Sequence, residues 1–112
     1  MDDILLNRRL VLQDSVEVAD GAGGFSTTWQ SLGQVWAHID ARSGRMRKGA
    51  SAAVSEVRFR IVVRAAPVGS SMRPKADQRF LEAAQAYVID AVAPYDMAGR
   101  YLECWARHEV VA

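Results

Sequence analysis

The stretch VRFRIVVRA, residues 57 to 65, constrains the fold more than any other part of the chain. Val57, Phe59, Ile61, Val63 and Ala65 recur at every second position, Arg58, Arg60 and Arg64 fill places between them, and only Val62 interrupts the alternation. Successive side chains of an extended strand point to opposite faces, so the pattern predicts a strand with one packed face and one wet face. QVWAHID repeats the signal, with Val35, Ala37 and Ile39 on one side and Trp36 and His38 on the other. RLVLQDSVEV, AYVIDAV and YLECWARHEVV complete a set of strands bounded by DGAGG (20–24), RSG (42–44), APVGSSMRP (66–74) and APYDMAG (93–99), where Gly and Pro supply turn geometry. Short strands at close spacing predict a mainly β fold. A single antiparallel meander of this length is expected to curl into a small barrel.

Two segments resist the alternation. RMRKGASAAVSEV reads as a long basic loop or a short helix inserted between strands, because Gly49 interrupts residues that otherwise favour helix. DQRFLEAAQAYVI is rich in helix formers over 76–86, yet it also reads as a hairpin turning at Glu82 to Gln85. Pattern leaves both pairs of alternatives open.

At 112 residues the chain fits one domain, residues 1–112, with a single modest core. Half the residues are hydrophobic and 24% charged, the balance of a globular domain. The opening MDDILLNRRL places acids before apolar residues, the reverse of an export leader, so the chain is expected to stay in the cytoplasm without contacting membrane. Cys104, the only cysteine, lies in the apolar-flanked YLECWARH and is expected to be a buried thiol. The net charge of +1 hides an uneven distribution. Residues 1–40 carry two arginines against six acids, residues 41–76 nine bases against Glu56 alone, and residues 77–112 three bases against six acids. A basic segment inside an acidic frame points to a polyanion or a charge-complementary neighbour.

No pattern offers catalysis, and neither a metal nor a cofactor is expected. His38 and His108 stand seventy residues apart, each alone in a strand, and CxxC, HExxH and Walker patterns are missing from the sequence. GAGG at 21–24 leads into FSTTW without the strand-to-helix context of a phosphate cradle, and reads as a turn. Asp90 and Glu103 are an acid pair that neighbouring strands could bring together, more in keeping with arginine partners than with acid–base work. Arg42, Arg45, Arg47 and Lys48 form a cluster with no acid between residues 41 and 55, flanked by Gly and Ser. With no aromatic platform among them, their expected contacts on nucleic acid are to phosphates.

GGFSTTWQSLGQVWAHID, residues 23–40, holds two of the three tryptophans and nothing catalytic. Its glycine-rich turn, its aromatic, Trp29 and then VWAHI are followed in order by VRFRIVVRAAPVGSSMRP, QRFLEAAQAYVIDAV and YLECWARHE, and preceded by RRLVLQDSVEV. Over residues 8–109 this series resembles the tailed-phage head-tail joining family, also called head-closure or stopper proteins. The chain departs from the family's usual form at VRAA and at EAAQ. The resemblance implies a small barrel with a long inserted loop, and a hairpin at 76–92. It further implies a ring, guessed sixfold, in the neck of a virion or phage-like gene-transfer particle assembled in a bacterial cytoplasm. There it would lie between the portal and adaptor ring and the tail terminator ring, retaining packaged double-stranded DNA by backbone contact. Arg42, Arg45, Arg47 and Lys48 would face that DNA, while Trp29, Val35, Trp36, Ile39, Phe59, Ile61 and Val63 would fill the barrel core. A tail terminator or minor tail protein, and a free nucleic-acid-binding barrel, are the alternatives.

Overall fold

The computed structural model describes residues 4–47 and 54–110. Six antiparallel strands, β1 (Arg8–Ala19), β2 (Phe25–Arg47), β3 (Val54–Arg64), β4 (Arg79–Glu82), β5 (Gln85–Pro94) and β6 (Tyr101–Val110), close a barrel in the order β1-β2-β3-β6-β5-β4. Strand order departs from the expected single meander. β1–β3 form one meander, β4–β6 a second, and residues 65–78 carry the chain between them to a strand that neighbours β5 and β1.

Alternation sets the interior. Leu10 and Leu12 of β1, Ala37 of β2, Ile61 and Val63 of β3, Phe80 of β4, Tyr87 and Ile89 of β5, and Leu102, Cys104 and Ala106 of β6 form the buried cluster. Val35, Ile39 and Phe59 pack against it half-buried, as their registers Ile39↔Ile61 and Ala41↔Phe59 require. Five of the seven expected core residues therefore line the barrel, and the tryptophans do not. Trp36 is 56% exposed on the outer face, since the pleat sends it opposite Val35 and Ala37 whatever its area. Trp29 lies half-buried outside the core cluster, its ring under the Arg79 guanidinium at 4.1 Å.

β2 runs for 23 residues and serves two hairpins. Its first half pairs with β1 as far as Ala19↔Phe25, around a turn in which Asp20 Oδ1 accepts hydrogen bonds from the Ala22 and Gly24 N–H groups. Its second half pairs with β3 as far as Arg47↔Val54. RSG at 42–44 is therefore a bulge at Arg42, not a strand end, and residues 45–47 and 54–56 are paired strand where a loop or short helix was expected. An extra residue on one strand preserves pairing by increasing the local twist. Lys48 lies outside the described residues.

Residues 83–84 make the β4–β5 turn, which selects the hairpin over the helix, with Glu82↔Gln85 as the closing pair. Ala83 occupies the first central position at φ 53°, where glycine is the usual residue. The 65–78 connection is tied down by the Arg73 guanidinium donating to the Ala66 carbonyl (2.8 Å) and by Met72, whose sulfur would lie 2.8 Å from a Cβ added at Gly33. Gly33 faces Leu12 at a β1–β2 bulge, and its missing side chain admits the methionine.

Candidate functional site

The outer face of β2, β3 and β6 carries a charged network built on Asp40. In register, Asp40 stands opposite Arg60, which stands opposite Trp105. Arg60 is only 6% exposed; its guanidinium donates to Asp40 Oδ2 at 2.8 Å, approaches Glu103 at 3.8 Å and lies 5.4 Å from the Tyr95 ring centroid. Arg42 reaches Asp40 Oδ1 at 2.9 Å, and His38 Nε2 meets Oδ2 at 3.0 Å. His38 Nδ1 accepts a hydrogen bond from the Leu5 N–H (3.2 Å), which places the proton on Nε2 and fastens the segment before β1 to this face. Burial opposes a charge on Asp40, but hydrogen bonds from Arg60 and His38 and the charges of Arg60 and Arg42 hold its carboxyl below the usual range. The basic middle of the chain is thus partly structural. Arg58 and Arg107 meet Asp90 on the same face, at 3.9 and 2.9 Å. Asp90 is the extra residue at the β5–β6 bulge, so it and Glu103 serve separate arginines and do not face one another.

Two basic side chains brace the short seam between β1 and β4, which pairs only Val11↔Leu81, Leu12↔Phe80 and Gln13↔Arg79. Arg8 grips Glu82 with both carboxylate oxygens engaged, and that hydrogen bond holds Glu82 below its ordinary pKa. At the other end, Arg79 donates to Gln13 Oε1 at 2.7 Å, and Gln13 donates to Ser31 Oγ at 3.2 Å.

The four residues expected at DNA have different settings. Arg42 sits at the β2 bulge against Asp40, Arg45 and Arg47 lie in β2 in register with Glu56 and Val54, and Lys48 follows beyond the described residues. Among the described residues no three of His, Cys, Asp and Glu converge as a metal site. Cys104 is buried, and burial first, with the nearby charge of Glu103, pushes its thiol up to about 12.

Sequence reasoning missed two surface features. The β1–β2 hairpin is exposed from Ser15 to Gly23 and from Phe25 to Thr28; on it Val16, Val18 and Phe25 are open to solvent beside the carboxylates of Asp14, Glu17 and Asp20. A shallow groove lined by Leu6, Trp36 and Arg64 opens on the barrel wall, with Arg9 opposite Trp36 in register. The outward position of Trp36 in QVWAHID was the available signal for the groove.

A sequence model described as phage head completion protein matches residues 1–109. Among solved structures, a chain from the virion of a native gene transfer agent (GTA) particle is 51% identical, with full coverage of both chains and a TM-score of 0.81. The comparison with curated proteins finds no match.

Proposed function

The chain belongs to the phage head completion protein family, and from that membership we propose that it works as a ring in the neck of a phage-like particle, between the head-side portal and adaptor and the tail. Its role is that of a structural head-tail connector, and the family gives no ground for an enzyme. The observation that carries the reading is the full-length match, at 51% identity, to a chain of a gene transfer agent virion.

The β2–β3 hairpin is the part that would meet DNA. Beyond the Arg42 bulge its β2 strand adds Arg45 and Arg47, and Lys48 follows in sequence. A ring multiplies this charge around its axis, and phosphate contacts of this kind hold DNA without reading sequence. Strand pairing as far as Arg47↔Val54 supports the reading, because it carries positions 45 and 47 on a paired ribbon that continues past the bulge. Packaged double-stranded DNA is then retained by its backbone while the barrel makes the protein contacts.

Replacing Arg42, Arg45, Arg47 and Lys48 with glutamine in assembling particles tests this. The ring should still be visible by cryo-electron microscopy of the neck, and nuclease-resistant DNA per particle should fall. Unchanged retention in particles that carry the ring removes the DNA role from the hairpin. Absence of the chain from the neck removes the connector reading itself.

A further inference from the structure

We propose that the acidic β1–β2 arm of one copy docks in the Leu6–Trp36–Arg64 groove of the next copy, Phe25 against Trp36 and Glu17 at Arg9 and Arg64. The inference rests on the ring reading above and names the surface that builds the ring. Phe25 is 71% exposed and Trp36 56%, so each molecule leaves one large aromatic on its arm and another on its wall. Register places Glu17↔Thr27 and Ala19↔Phe25 on one face of the arm, which puts a carboxylate and an aromatic side by side. Arg9 and Arg64 make no ion pair in the structure, and neither do Asp14 and Glu17, among the described residues. One surface is acidic and apolar and the other basic and apolar, the complementarity that steers docking and sets its register.

The two surfaces cannot meet within one molecule. Phe25 and Trp36 lie on the same strand eleven positions apart, about 35 Å at the rise of an extended chain, and the β1–β2 ladder from Arg8↔Ala37 to Ala19↔Phe25 holds them there. Satisfying both therefore takes a second copy, in a head-to-tail contact that repeats and closes as a ring.

The test is a Phe25→Cys/Trp36→Cys chain incorporated into particles and oxidised, with Cys104 buried and out of reach. A ladder of covalent multimers extending beyond the dimer is expected from the double variant, and none from either single variant. Density for the chain in the neck without such a ladder overturns the arm contact and leaves the connector reading standing, as does a ladder ending at the dimer or a bond to a different neck protein. In parallel, Glu17→Arg and Arg64→Glu should each lower the yield of tailed particles by at least about tenfold, and the combined reversal should recover most of it. Failure of the combined variant to exceed the singles, with all three melting like the parent, also overturns the proposal.

Discussion

Arg60→Met tests whether the Asp40 network stabilises the barrel. The side chain is nearly sealed, with Asp40 at 2.8 Å, so the substitution leaves a carboxylate facing an apolar chain. Removing one partner of a fully buried ion pair costs about 3–5 kcal/mol. Asp40, however, keeps its contacts with Arg42 and His38, and its side chain is 30% exposed, so water screens part of the loss. We expect about 2 kcal/mol, which for a domain of this size lowers the melting temperature by roughly 8 °C. Arg60→Met/Asp40→Asn should be less destabilised than the two singles added together by about 1 kcal/mol, because it removes the stranded charge. The pH dependence has a definite sign. Asp40 has a depressed pKa in the fold, so its contribution is complete above the unfolded carboxylate value of about 3.9 and disappears as pH falls through the folded value. The gap between the parent and Asp40→Asn should therefore be full at neutral pH and close on acidification. Chemical denaturation of the four chains at several pH values measures all of this. An Arg60→Met midpoint indistinguishable from the parent, or strict additivity, refutes the reasoning.

Other parts of the barrel give simpler expectations. Gly33→Ala should cost about 1–3 kcal/mol, chiefly because a side chain is strained at the Gly33 φ of 156°, and Met72→Ala should recover only a minor part of that cost in a thermal melt of the double variant, since the flexible end of Met72 can yield to the added methyl. Phe80→Ala removes a fully buried ring from the shortest strand and should cost about 3–5 kcal/mol by denaturant titration. Cys104 should resist alkylation at pH 8 in the folded protein and react promptly in denaturant, followed by mass spectrometry; rapid native labelling would contradict its burial. Arg8→Ala should selectively speed amide exchange in β4, because it removes the clasp on Glu82 at one end of the three-pair seam.

Strands were legible wherever one face was packed. VRFRIVVRA and QVWAHID show their inward residues directly, and the alternation had already turned Trp36 outward even though its size argued for the core. The β4–β5 hairpin was ambiguous because its turn uses Ala83 at positive φ, which carries no composition signal and lies in a segment of good helix formers. RSG looked like a turn because glycine marks bulges and turns alike, and only the partner strand tells them apart. Strand order was illegible because a crossover of fourteen residues, 65–78, looks in sequence like any other loop. Of the expected site, Arg42 was read in a turn because glycine follows it at 44, so its contact with Asp40, two residues back on the same strand, was hidden, and the pairing of Asp40 with Arg60 depended on a strand register that composition does not encode.

Closure by two meanders has a consequence for how the chain comes to be folded. β1, β2 and β3 are neighbours in sequence and can pair as they leave the ribosome, but β1 then waits for β4, whose Phe80 meets Leu12 across sixty-eight residues, and β3 waits for β6. Pairings of such separation form slowly, and both outer strands of the first sheet stay unpaired in the interval. A polysome crowded with nascent copies therefore presents many matching open edges at once. Refolding yield should fall with protein concentration much more steeply than native stability would suggest, and variants that weaken the short β1–β4 seam should lower that yield further.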